Sequence, residues 1–103
     1  MQPLAGIRVL DFSTLLPGPL ATLVLAEAGA EVIRIERPGR GDEMRSYQPK
    51  FGTDSVNFAL LNRGKRSIAI DLKAPDAVAH LAPLIRSADV VVEQFRPDRK
   101  SVV

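Results

Sequence analysis

Four short apolar runs recur along the chain, and their branched side chains predict buried β-strands. The runs occupy residues 7–12, 31–36, 67–72 and 89–93. Polar or turn-forming residues follow each run, so each strand is expected to end there. The spacing leaves room for a helix or a long loop between successive strands.

Two segments predict helices between the first three strands. One helix opens at Pro19, whose missing N–H costs nothing in a first turn. It continues over residues 20–28 to Gly29, which can close a helix in the left-handed conformation. The other helix is short and covers residues 55–61. Residues 37–53, just before it, are polar and too long for an ordinary connector, which favours a functional loop.

A third helix is predicted over residues 75–87, between the last two strands. Pro83 lies inside it and predicts a kink, because proline removes one backbone hydrogen bond. Asp76 and His80 stand one turn apart on the opposite side, which predicts a surface pair rather than a general base. The side predicted to face the sheet carries Val78, Leu81, Leu84 and Ile85.

The order of these elements predicts an α/β fold. Strands separated by helices are joined by right-handed crossovers, which give a parallel sheet with helices on both faces. The 103 residues have the length of one domain.

Composition narrows the classes of function. The chain has 14 Lys and Arg residues, 12 Asp and Glu residues, a net charge of +2 and no cysteine. This balance leans toward a phosphorylated ligand, but the cations form no block and aromatic residues are few, so we expect no nucleic-acid partner. The apolar runs are too short to span a membrane, and no residues have metal-ligand spacing. Without cysteine or a signal-like start, the chain is expected to be cytoplasmic.

Candidate binding residues follow the carboxyl ends of the predicted strands, where open parallel sheets bind their ligands. Arg37 follows the second strand, Lys73 the third and Arg96 the fourth. Three cations at one edge suit a ligand with several phosphates. The alternative is that they are ordinary solvated charges at the start of loops.

A dinucleotide site lacks its usual signature here. The Rossmann fingerprint needs three glycines in the first strand–helix turn, and only Gly18 is present there, between two prolines. Glu36 stands near the position where an acid would bind a ribose hydroxyl, so an NAD-like site stays open as a weak alternative. The other acids that end strands are expected to cap or to pair with arginine.

Three segments together resemble the start of the family III CoA-transferases, a family that also contains the α-methylacyl-CoA racemases. They are Pro-Gly-Pro after the first strand, Ile-Glu-Arg-Pro-Gly after the second, and Asn-Arg-Gly-Lys-Arg-Ser-Ile leading into the third. The resemblance covers residues 4–97, with the segments in the family's order.

The resemblance implies an incomplete, Rossmann-like half-domain of a larger fold in which two chains interlock as a homodimer. It implies coenzyme A or an acyl-CoA as a substrate, a carboxylic acid as the other substrate, and no metal. The residues that it assigns to coenzyme A are Leu16, Pro17, Arg37, Ile70, Asp71, Leu72, Lys73, Gln94, Phe95 and Arg96. Side-chain chemistry assigns the phosphates to Arg37 and Lys73. Leu72 and Phe95 suit the surroundings of the adenine.

The parent enzyme implied by the resemblance transfers CoA between carboxylic acids or racemises α-methylacyl-CoA. By the same resemblance, the catalytic Asp of the transferases, and the His and Asp of the racemases, are expected beyond the position of Val103. These residues alone are therefore expected to be inactive. The alternative is a free-standing module that binds a nucleotide such as NAD or serves an interaction.

The last six residues stand apart from the family pattern. Family members continue after the Pro97 position with glycine and a helix, whereas residues 98–103 read Asp-Arg-Lys-Ser-Val-Val. This hexapeptide can be back-translated to the beginning of a common sequencing adapter. We therefore expect a CoA-binding half-domain over residues 1–97 and a tail over residues 98–103 that the gene does not encode.

Overall fold

A computed structural model describes residues 2–14, 17–39, 41–51 and 54–94 of the chain. In chain order its elements are β1 (Arg8–Asp11), α1 (Pro17–Glu27), β2 (Glu31–Glu36), a 3-10 helix (Glu43–Ser46), β3 (Lys50–Phe51), β4 (Asp54–Ser55), α2 (Val56–Asn62), β5 (Arg66–Ala69), α3 (Ala77–Ser87) and β6 (Val90–Val92).

The main sheet has four strands in the order β5-β2-β1-β6, and all its neighbours are parallel. In the centre of the sheet, Leu10 lies opposite Ile33 on one side and Val91 on the other. The alternation of strands and helices therefore predicted the α/β class and the parallel sheet correctly.

Two apolar layers hold the helices on opposite faces of this sheet, because successive side chains of a strand point to opposite faces. On one face, Leu10 and Ile33 pack with Leu81 of α3. On the other face, Val9 and Val32 pack beside α1 residues that include Leu25 and Ala26. Burial of both faces is typical of parallel sheets and confirms the predicted layers.

The outer side of α3 differs from the sequence prediction. Val78 and Ile85 were expected to face the sheet but are 73% and 49% exposed. The side that packs on the core instead carries Ala77, Leu81, Leu84 and Ala88. Val78 and Ile85 lie one residue further along the helix, about 100° round its axis, so the sheet does not reach them. The kink expected at Pro83, which lies inside α3, stays a prediction.

The long polar loop after β2 has a structure of its own. It contains the 3-10 helix, which Asp42 caps by accepting a hydrogen bond from the Met44 amide. The antiparallel pair of β3 and β4 then leads into α2, whose cap is Ser55. Loops of this length that hold their own structure are commonly functional.

The helices in the described part of the chain are short relative to a bilayer. None of them is both long enough and apolar enough to cross a membrane.

Candidate functional site

A groove of about 450 Å³ lies beyond the carboxyl ends of β2 and β5. Its walls are formed by Ile35, Glu36, Arg37, Pro38, Ile70, Asp71, Leu72 and Lys73. The strands pair in register, with Glu36 opposite Ala69, and the Ile70 amide donates to the Glu36 carbonyl at 2.9 Å. The two chain segments therefore leave the sheet side by side, and five of the residues predicted from the sequence meet in one groove.

Arg37 stands on one wall of this groove with an exposed side chain. Its Nε donates to the Gly41 carbonyl at 2.9 Å. Within the described residues, the two terminal nitrogens of the guanidinium have no acceptor. Gly41 has a φ of +70°, and a Cβ there would lie 3.0 Å from both Glu36 Oε1 and Arg45 Nε. The turn that orients Arg37 therefore needs glycine.

Lys73 lines the same groove from the segment that follows β5, and it is also exposed. Its amide donates to Asp71 Oδ1 at 3.0 Å, so the Asp71 carboxylate shapes the turn that carries Lys73. Ile70 and Leu72 are partly buried and pack against the core. The lining of the groove thus combines two cations with apolar side chains, which suits a phosphorylated ligand that also carries a ring.

The remaining predicted site residues lie around the first loop, which follows β1, rather than in the groove. Gln94 uses both ends of its amide: Oε1 accepts from the Gly18 amide at 3.1 Å, and Nε2 donates to the Thr14 carbonyl at 2.8 Å. Pro17 is exposed and begins α1. Leu16, Phe95 and Arg96, like the tail over residues 98–103, lie outside the described residues.

A second groove, of about 370 Å³, lies beside the first and shares Ile70 and Asp71 with it. His80 also lines it, and its Nε2 lies 3.1 Å from Asp76 Oδ2. Both of these side chains are exposed, so the predicted surface pair is confirmed.

Glu36, which kept the NAD-like alternative open, is buried and engaged within the chain. Its Oε1 accepts from the Asp42 amide and from Arg45 Nε, and its Oε2 accepts from Arg45 Nη2 and from the Ser67 hydroxyl. A ribose hydroxyl would have to compete with all of these donors. The geometry therefore weighs against a dinucleotide at this position.

The sequence did not reveal a network of buried charges beneath the first loop. Asp11 is completely buried; its Oδ1 accepts from the Ser13 amide at 2.8 Å and its Oδ2 from Thr22 Oγ1 at 2.7 Å. Lys65 Nζ donates to the Pro19 carbonyl, to Thr22 Oγ1 and to Asn62 Oδ1 at 2.7–2.9 Å. Burial lowers the pKa of Lys65 to about 8, although Asp11 opposes this shift.

Arg34 belongs to the same network and lies in the middle of β2. Its side chain is 1% exposed, and it forms an ion pair with the equally buried Asp42. The only sequence signal for this network is a charged residue inside the otherwise apolar run 32–35. Charged residues are almost never fully buried unless they are paired. An arginine at position 34 of a buried strand therefore indicates an acidic or hydrogen-bonding partner nearby.

Comparison with known proteins identifies relatives over the whole described region. Residues 4–102 match the model of CoA-transferase family III. This match overlaps the hexapeptide 98–103, whose origin stays a prediction.

Among curated relatives, succinyl-CoA:glutarate CoA-transferase of Mus musculus is 46% identical, over 98% of this chain and 23% of the relative. Acetyl-CoA:oxalate CoA-transferase of Acetobacter aceti is 43% identical, over 92% of this chain and 24% of the relative. Formyl-CoA:oxalate CoA-transferase of Afipia carboxidovorans is 47% identical, over 93% of this chain and 23% of the relative. The chain spans about a quarter of the length of these relatives.

Solved structures agree with these matches. A hypothetical protein from Mycobacterium tuberculosis superposes with a TM-score of 0.87 at 41% identity, over 99% of this chain and 28% of that one. A CAIB/BAIF family protein from Brucella suis gives the same TM-score at 32% identity, over 98% and 28%. A putative β-ketoacyl-ACP reductase, at 24% identity and a TM-score of 0.57, shares the fold alone. On the family match and these identities, the chain belongs to CoA-transferase family III.

Proposed function

We propose that these residues supply the CoA-binding part of an enzyme that moves coenzyme A from one carboxylic acid to another. The observation that carries the proposal is the groove between the ends of β2 and β5, which both Arg37 and Lys73 line. Coenzyme A has a diphosphate, a further phosphate on its ribose and an adenine. A groove lined by two cations and several apolar side chains matches that combination of groups.

Within this groove, we assign the phosphates to Arg37 and Lys73 and the adenine to the side of Leu72. Arg37 is the better preorganised of the two cations, because its Nε is already held by the Gly41 carbonyl. A planar guanidinium oriented in this way can bind two phosphate oxygens at once. The parts expected of Leu16, Pro17, Gln94, Phe95 and Arg96 stay predictions.

The reaction that we propose exchanges partners on a thioester: an acyl-CoA and a free carboxylate give a new acyl-CoA and the released carboxylate. The named acceptors of the relatives, glutarate and oxalate, are both dicarboxylic acids, and we propose an acceptor of that class. The family's catalytic Asp is not among the residues assigned here. These residues bind and orient coenzyme A, and we expect no transfer from them alone.

Racemisation of an α-methylacyl-CoA is the second activity known in the family. We favour transfer, because the curated relatives compared above are named as transferases. The interlocked homodimer and the cytoplasmic location expected from the resemblance and the sequence also stay predictions.

Titration of coenzyme A into the ¹⁵N-labelled chain tests the proposal. We expect the amide resonances of Arg37, Gly39 and residues 70–73 to shift, and the Kd to rise about tenfold in Arg37→Ala and in Lys73→Ala. Arg63→Ala is the matched control, because Arg63 is exposed and pairs with Glu27 at 2.5 Å, away from the groove. Shifts confined to other residues, or equal loss in all three variants, would contradict the assignment.

Activity assays complete the test. Succinyl-CoA with glutarate or oxalate probes transfer, and exchange of the α-proton of a 2-methylacyl-CoA in deuterated water probes racemisation. We expect neither from these 103 residues, and transfer from a longer chain that contains them. Exchange of the α-proton without transfer in the longer chain would favour the racemase.

A further inference from the structure

The buried guanidinium of Arg34 forms hydrogen bonds with two loops beside the proposed CoA site, the first loop and the loop after β2. Arg34 Nη2 donates to the Ser13 carbonyl in the first loop at 3.3 Å and to Asp42 Oδ2 in the loop after β2 at 2.7 Å. Its Nη1 donates to Asn62 Oδ1 at the end of α2. The side chain therefore joins three segments that are far apart in the chain.

One path leads from Arg34 to the phosphate-binding wall of the groove. Asp42, its ion-pair partner, directly follows Gly41, whose carbonyl accepts from Arg37 Nε. The Asp42 amide donates to Glu36 Oε1, which ties this turn back to the end of β2. A displacement of Asp42 would consequently displace the carbonyl that orients Arg37.

A second path leads from Arg34 through the first loop. Ser13 accepts from Arg34 through its carbonyl and donates to Asp11 through its amide. Gly18, in the first turn of α1, packs directly on Ser13, because a Cβ at Gly18 would lie 2.1 Å from Ser13 Cβ. The position of Ser13 therefore fixes how closely the start of α1 approaches β1.

A gain in stability is not needed to account for a charged pair at this place. Replacing a buried ion pair with uncharged side chains of similar volume is often neutral or stabilising. The pair is also imperfectly satisfied, since Arg34 Nε is buried without a hydrogen-bond partner among the described residues. The stacking of its guanidinium 5.3 Å from the centre of the Phe58 ring adds a contact but no partner for that nitrogen. What the pair does supply is a fixed geometry between two loops.

We propose that Arg34, with Asp42, is a positioning residue that holds the first loop and Arg37 in a fixed relation before coenzyme A binds. This inference rests on the proposed function of the groove. It adds that CoA affinity depends on a side chain that does not touch the ligand, because a preorganised site loses less conformational freedom on binding.

The test separates affinity from stability with a double variant, Arg34→Met/Asp42→Asn. It removes both charges, so that neither is left buried alone, and Asn at position 42 can still cap the 3-10 helix. The matched control is Arg8→Met/Glu31→Gln, which removes a partly exposed ion pair, 2.5 Å long, between the amino-terminal ends of β1 and β2. For each protein, the free energy of unfolding is measured with denaturant and the Kd for coenzyme A by ¹⁵N titration.

We expect the Kd of the Arg34→Met/Asp42→Asn variant to rise about tenfold in the folded protein, and that of the control to stay within about twofold. The amide resonances of Ser13 and Gly41 should shift in the ligand-free double variant and not in the control. An unchanged Kd, with the wild type binding normally, would overturn the positioning role and leave the proposed function standing. Failure of the wild type to bind would overturn the proposed function and this inference with it.

Arg34→Lys keeps the test decisive if the double variant does not fold. Lysine retains a buried positive charge for Asp42 but lacks the planar fork that reaches Ser13, Asp42 and Asn62 together. We expect a folded protein with the same loss of CoA affinity. Wild-type affinity in Arg34→Lys would show that the charge suffices and would contradict a role in fixing geometry.

Discussion

Arg45 binds Glu36 at two points, with its Nε 2.9 Å from Oε1 and its Nη2 2.8 Å from Oε2. Burial by itself would raise the pKa of Glu36, but hydrogen bonds from Arg45, Ser67 and the Asp42 amide lower it to about 2. Arg45 also stacks on Phe58, 3.9 Å from the ring centre. An ionised carboxylate thus fastens the long loop after β2 to the end of its strand, next to the candidate groove.

The lowered pKa of Glu36 predicts how the free energy of unfolding changes with pH in acid. The folded pKa lies below the usual 4.5, so Glu36 contributes stability above pH 4.5 and loses that contribution as the pH falls toward 2. A shift of this size corresponds to about 3 kcal/mol. Wild type should therefore exceed Glu36→Gln in unfolding free energy at about pH 6, and the difference should shrink steadily between pH 4.5 and 2.

Denaturant unfolding at several pH values measures that difference. Glu31→Gln is the control, because Glu31 forms a partly exposed pair with Arg8 at the amino-terminal ends of β1 and β2. A difference between wild type and Glu36→Gln that is the same at about pH 6 and about pH 2.5 would contradict the prediction.

The lowered pKa of Lys65 gives a dependence of the same sign in alkali, where stability again rises with pH. Burial lowers its pKa from 10.5 to about 8, so between these values the unfolded chain binds the proton that the folded chain has released. The unfolding free energy of the wild type should consequently rise relative to Lys65→Met as the pH increases from 8 to 10.5. The exposed Lys73 provides the control variant Lys73→Met. A relative stability that stays level or falls over this interval would refute the prediction.

We predict a steric coupling between Gly18 and Ser13, on either side of the first loop. Alanine normally stabilises a helix more than glycine does. At position 18, however, the alanine Cβ would lie 2.1 Å from Ser13 Cβ and 2.6 Å from Gln94 Oε1. We expect Gly18→Ala to lower the unfolding free energy by about 1–3 kcal/mol. Ser13→Gly should recover part of this loss in the double variant, because it removes the nearer obstacle. Additive losses in the double-mutant cycle would argue against contact between the two residues.

The hydrophobic pattern was sufficient to predict the sheet and the floor of the groove. Runs of branched residues identified the strands, and alternation with helices required them to be parallel. Once the strands are parallel, residues that follow them must share an edge, so the amino-acid sequence alone places Arg37 and Lys73 together. That part of the prediction depends only on local pattern and on topology.

The buried charges could not be predicted in the same way. In a sequence, Lys65 looks like the many lysines that lie in water, and Arg34 stands out only because it interrupts the apolar run 32–35. Their burial depends on where α2 and the loop after β2 pack, which no local pattern records. The error at Val78 and Ile85 has a related cause, because the apolar side of α3 is wider than the surface that the sheet offers to it.

The Ile70 amide and the Glu36 carbonyl, which join β2 to β5 at the floor of the groove, also bear on how such a site can diversify. This bond is a rung of the backbone ladder, and adjacent strands keep a spacing of about 4.8 Å whatever side chains they carry. Substitutions in the walls can therefore change charge, shape and affinity without altering the distance between the two chains that leave the sheet. The backbone therefore keeps the width of the groove constant, while substitutions of the side chains that line it can change which ligand it binds.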